Sequence, residues 1–214
     1  MFIGHFAVGY ASKKWAPDVS LAVLLAAPLL ADILWPAFLL LDIEHVRITP
    51  GWTAVNALDL HDYPWSHSML TLLAWGVLFG ALVARAAGRR AGLVVFLGVL
   101  SHWLLDWVTH KYDMPLWPGG PESGLYLWRS RAATWVVELA LYAAGVWVWL
   151  RSTRARNRKG AVGAWVFIVL MLVFYLADRG APPPSVRVIG ISAILATAVL
   201  LAFAWWLDRH REAA

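Results

Sequence analysis

Residues 91–110 read AGLVVFLGVLSHWLLDWVTH. The run from Ala91 to Thr109 is long and apolar enough to cross a bilayer as a helix, yet it carries His102 and Asp106 in its second half. The two are four residues apart and so share one helical face, which Thr109 continues. His110 follows Asp106 by another step of four. A charged side chain near the bilayer centre costs about 2.5 to 3.5 kcal/mol, so such residues face a protein interior and usually carry function.

The rest of the chain agrees with a membrane setting. Its 214 residues are 61% hydrophobic and 14% charged, with a mean hydropathy of +0.63, far from the balance of a soluble domain. The expectation is an all-α, polytopic helix bundle forming a single integral membrane domain over residues 1–214. Six spans are read: Val19–Leu41, His67–Ala84, Ala91–Thr109, Ala132–Leu150, Ala161–Ala177 and Val188–Leu207. Phe2–Ser12 is apolar but too short to cross, and reads as a half-span or interfacial helix. The N-terminus lacks a charged n-region and a small-residue cleavage pattern, so the first span is expected to stay. Functional weight falls on the first 140 or so residues, and the helices from about 141 to 207 read as apolar support.

The net charge of +5 does not point to nucleic acid, because the basic residues sit in short loops beside apolar runs. Twelve of the 18 Lys and Arg fall on one side: Lys13, Lys14, Arg85, Arg89, Arg90, Arg151, Arg154, Arg156, Arg158, Lys159, Arg209 and Arg211. That side is expected to be cytoplasmic, with both termini. The loops 42–66, 111–131 and 178–187 then face outward. Asp32, His67, His102, Asp106 and Glu138 fall at one outward depth, whereas unrelated helix-packing bonds would scatter over both leaflets.

With no cysteine, any metal must be held by His, Asp or Glu. His102 and Asp106 project from one helix at a separation that a divalent cation can bridge. The segment His61-Asp62-Tyr63-Pro64-Trp65-Ser66-His67-Ser68 adds His61 and His67, with Pro64 bending the chain and Ser66 a candidate N-cap for the second span. Asp32, between Pro28 and Pro36, is a candidate ligand, an orienting carboxylate or a structural acceptor. His5 could reach the same depth from the half-span. Glu138 reads either as a general base, with Asp62 a second proton carrier, or as a buried partner of Arg131. Arg129 and Arg131 could hold a phosphate or simply snorkel to the interface.

On these residues the chain resembles the membrane-bound metal-dependent hydrolases that include the LexA-binding, inner-membrane-associated proteins of bacteria. The resemblance rests on Gly4-His5, Leu30-Ala31-Asp32-Ile33, Ser66-His67-Ser68, Ser101-His102-x-x-x-Asp106-x-x-Thr109 and Pro115-Leu116-Trp117-Pro118, spread over roughly residues 1–120. It matches His5, Asp32, His67, His102 and Asp106 to family positions. Where the family commonly has Pro-Asp-x-Asp-His, this chain has Ala31-Asp32-Ile33-Leu34-Trp35, so two candidate ligands are absent. Its His61-to-His67 spacing is one residue longer than usual. The resemblance implies a hydrolase in the bacterial inner membrane that uses one or two divalent ions, with zinc the best fit, on a lipid or lipid-linked ester or phosphoester. Two other readings stay open: a metal or proton transporter using the same cluster, and a non-enzymatic binding or scaffold protein, including a haem protein with His67 and His102 as axial ligands.

Overall fold

The computed structural model describes residues 1–177 and 180–214. Among them the chain forms α1 (Ile3–Ser12), α2 (Leu21–Ala26), α3 (Leu30–Leu40), β1 (His45–Ile48), β2 (Leu58–Asp62), α4 (Pro64–His67), α5 (Met69–Ala87), α6 (Arg89–Thr109), β3 (Met114–Pro115), β4 (Glu122–Ser123), α7 (Arg131–Ser152), β5 (Thr153–Ala155), α8 (Arg158–Ala177), α9 (Val186–Asp208) and β6 (Arg211–Ala213). The strands pair as three small antiparallel ribbons, β1 with β2, β3 with β4 and β5 with β6. The helices make the fold.

Helix starts follow local chemistry. The hydroxyls of Ser20, Ser68, Ser130 and Ser185 accept N–H bonds from Val23, Thr71, Ala133 and Val188, at the first turns of α2, α5, α7 and α9, where the first backbone N–H groups of a helix have no partner within it. The cap of α5 is therefore Ser68, and the expected Ser66 lies one turn earlier, inside α4. Between α5 and α6 the reversal is made by Gly88 at φ 89°, a conformation that only glycine adopts without strain.

Five helices, α5 to α9, are long and apolar enough to cross a membrane, and their outward faces carry exposed Val77, Leu82, Leu97, Val169, Leu195 and Val199. They correspond to five of the six expected spans. The sixth, Val19–Leu41, is corrected. It breaks after Ala26 and resumes at Leu30, because Pro28 supplies no N–H to continue the ladder. At about 1.5 Å per residue neither α2 nor α3 crosses alone. Of the expected outer loop 178–187, Asp178 and Arg179 lie outside the described residues.

Two apolar clusters fill the interior. One joins α1, α2, α7, α8 and α9 through Ile3, Phe6, Tyr10, Leu21, Trp149 and Phe167. The other joins α2, α3, α5 and α6 through Leu24, Ala31, Leu72, Val95 and Val99. Since α1 belongs to the first and α6 to the second, their polar residues meet at the boundary. At the opposite end, Lys13 is buried, pairing with Asp208 at 2.7 Å and donating to the Val19 carbonyl at 2.8 Å. Arg211 crosses the Trp149 ring there and bonds Thr153.

The approach of α1 to α7 depends on Gly145. A Cβ there would fall on the Ala7 backbone, 2.8 Å from its carbonyl carbon. Gly145→Leu is expected to lower stability by about 1–3 kcal/mol through overpacking, read as a drop in thermal midpoint in detergent. Ala143→Leu, on the exposed side of the same helix, should leave the midpoint unchanged.

Candidate metal centre

His102 is fully buried on α6, and its Nδ1 lies 2.8 Å from the Pro28 carbonyl oxygen. A carbonyl only accepts, so Nδ1 carries a proton, and in the neutral imidazole Nε2 is left with its lone pair. The helix break thus has a chemical use, since it frees the carbonyl that fixes the tautomer. Nε2 lies 3.0 Å from Asp106 Oδ2 but makes no well-aligned hydrogen bond among the described residues. A lone pair facing a buried carboxylate oxygen is repulsive unless a proton or a metal cation joins the two.

His5 arrives from α1 with its ring stacked on His102, centroids 4.2 Å apart and planes 9° from parallel. Its Nε2 is 3.0 Å from Asp106 Oδ1, while its Nδ1 has no hydrogen-bond partner among the described residues. The Met1 amine also contacts Asp106 Oδ1. His67 closes α4 rather than opening the next helix, and its ring meets His102 edge-on at 4.9 Å. His67 Nε2 is 3.7 Å from Asp32 Oδ1 on α3. Two donor groups result, His5–His102–Asp106 and Asp32–His67–His102, in each of which the donor atoms lie within 4.8 Å of one another. They share His102.

Burial is nearly complete. His5 and His102 are 0% exposed, Asp106 2% and His67 4%, whereas the Asp32 side chain is 40% exposed and forms the edge of the cluster. His110, at the end of α6, places Nε2 3.5 Å from Asp106 Oδ2 and Nδ1 3.1 Å from both Asp113 Oδ1 and the Tyr63 hydroxyl. It orients Asp106 from outside the two donor groups.

A family model described as YdjM inner membrane protein matches residues 1–181. The chain belongs to the YdjM family. This is the LexA-regulated inner-membrane family that the motifs resemble, and the match runs past the motifs to the end of α8. No curated protein and no solved structure matches the chain.

Four other candidate residues fall elsewhere. His61 is exposed on β2 with its Nδ1 at 3.2 Å from the Asp59 carbonyl, because strand alternation turns Leu60 inward and His61 out. Asp62 pairs with His45 at 2.6 Å on the same exposed ribbon. Arg129 is exposed, and Arg131 reaches the Val55 carbonyl at 3.5 Å. Glu138 is buried, but it accepts the Phe2 and Gly4 N–H groups at 2.8 and 3.3 Å. It thereby satisfies the open N-terminus of α1 and holds His5 in place.

Sequence reading missed the Pro28 carbonyl, Asp113 and Glu44. Asp113, three residues after His110, was detectable by spacing, while Glu44 had no local signal. The Glu44 carboxyl is raised by burial, and bonds from Ser66 and Trp65 pull it back.

His45 lies on the surface between Asp62 and Asp42. The Asp62 hydrogen bond is the main cause of its raised pKa. A raised folded value stabilises β1–β2 fully below the unfolded value of about 6.5 and is lost as pH rises through the folded value. Amide protection of the ribbon should therefore fall above neutral pH, by a small amount at so exposed a pair. Asp62→Asn should flatten that fall in a hydrogen-exchange series.

Proposed function

We propose that the chain is a metal-dependent hydrolase of the inner membrane, holding one divalent cation through His102 and Asp106 with His5, His67 and Asp32. The observation that carries this reading is the bare His102 Nε2, fixed by Pro28 and 3.0 Å from Asp106 without a hydrogen bond. Three imidazoles and two carboxylates suit zinc. One ion is favoured because both donor groups need the same His102 nitrogen and its other nitrogen is committed to Pro28.

A zinc ion bound there would supply a Lewis acid for ester or phosphoester cleavage. The residues do the rest. Burial of His5, His67 and His102 puts them in a low-dielectric setting where they would hold a cation more strongly, and Glu138 and Pro28 hold two of the imidazoles in register. Asp32 completes the donor set at its partly exposed edge, and water, the second reactant of a hydrolysis, would enter from that side. If the basic end is cytoplasmic, the cluster opens toward the outer leaflet, and a lipid or lipid-linked ester or phosphoester is the substrate class in reach.

The alternatives gain less support. A transporter needs a polar route to the other face, yet Leu21, Leu25, Trp149 and Phe167 pack below the cluster and Lys13 is tied to Asp208. A haem between His67 and His102 has no slot, since the rings meet edge-on at 4.9 Å.

Metal analysis of protein purified in detergent without chelators tests the reading. About one equivalent of zinc is expected, as for a preformed single site. His102→Ala and Asp106→Ala should reduce it to background, while His61→Ala should retain it. Wild-type protein that takes up no divalent ion, even after incubation with zinc, would overturn the proposal.

A further inference from the structure

Glu44, in the loop after α3, is 1% exposed, and Arg47, three residues further on, pairs with Asp59 rather than with it. Its Oε1 accepts the N–H groups of Trp65 and Ser66 at 2.7 and 2.8 Å, and its Oε2 accepts the Ser66 hydroxyl at 2.6 Å. Ser66 has one hydroxyl proton. If that proton goes to the carboxylate, the Ser66 oxygen is left as an acceptor for His67 Nδ1, which lies 2.7 Å away. The chain of bonds then runs from His67 Nδ1–H to Ser66 Oγ–H to Glu44, and leaves a lone pair on His67 Nε2 beside Asp32.

We infer that Glu44 is a positioning residue that acts through Ser66 to set the tautomer and orientation of His67 for the cation. The inference rests on the metal-centre reading above. It gives the two imidazoles different supports: His102 is anchored by a neutral carbonyl, His67 by a carboxylate relayed through a hydroxyl. A carboxylate behind a ligating imidazole makes it a better donor, and removing such support commonly costs 10–100-fold in metal affinity. The two backbone bonds also make Glu44 a cap for the first turn of α4, so any test must separate capping from relay.

Three substitutions do so. Ser66→Ala deletes the relay and leaves the backbone N–H bonds to Glu44. Glu44→Gln keeps the size and can still accept those N–H bonds. Its amide NH2 then donates to Ser66, which reverses the relay and drives the proton of His67 onto Nε2. Ser66→Thr restores a hydroxyl. Co²⁺ affinity by chelator competition, the Co²⁺ visible absorption band and the thermal midpoint of the metal-free protein are the readouts.

Ser66→Ala and Glu44→Gln are expected to lose about 10–100-fold in affinity with an altered band and an unchanged metal-free midpoint, while Ser66→Thr recovers both. If Glu44→Gln weakens binding and Ser66→Ala does not, Glu44 serves only as a cap and the relay is wrong. The relay is also overturned if both variants lose affinity only in step with the metal-free midpoint, or if Ser66→Ala binds as tightly as wild type. Failure of the wild type to bind Co²⁺ or Zn²⁺ counts against the metal centre itself. If Glu44→Gln does not fold, the Ser66→Ala and Ser66→Thr pair still decides.

Discussion

A carboxylate sealed inside an apolar bundle must be compensated, and much of this fold is arranged around that requirement at Asp106. Removing such a charge from water costs several kcal/mol unless opposite charge or hydrogen-bond donors meet it. The partners come from separate parts of the chain: His5 and the Met1 amine from the start of α1, and His110 from the end of α6. Bringing α1 that close requires Glu138 to satisfy its first turn and Gly145 to admit its backbone. Packing details on α7 are therefore consequences of an electrostatic demand on α6.

The sequence made the long helices and their polar cargo legible because both signals are local. Apolar length marked α5 to α9, and the step of four placed His102, Asp106 and His110 together before any neighbour was known. His5 and Asp32 were legible mainly through short motifs. The broken first helix was not, since a run of apolar residues looks the same whether Pro28 kinks it or ends it. The exposed position of His61 was not legible for a related reason: its segment had no visible β-pairing, and strand pairing decides which residues of 58–62 face inward. Glu44 was hidden because its partners are 21 and 22 residues away, and no periodicity connects them.

The family match ends at residue 181, so α9 lies beyond it. Yet α9 supports the half that carries the motifs. Gly190 faces Pro36 and Leu40 of α3, the helix bearing Asp32, and Asp208 at its far end pairs with Lys13 just past α1, the helix bearing His5. One helix thus braces two of the elements that supply the cluster, at opposite ends of its length. Reading the chain as a functional half with passive apolar helices attached undervalues that link.

Asp32 differs from its neighbours in one respect that affects time rather than affinity. Its side chain is 40% exposed while His5, His67, His102 and Asp106 are sealed. In the proposed metal centre four donors would be shielded and one partly open, so the sealed groups would set how long a cation stays, and its exchange would begin where Asp32 meets the surroundings.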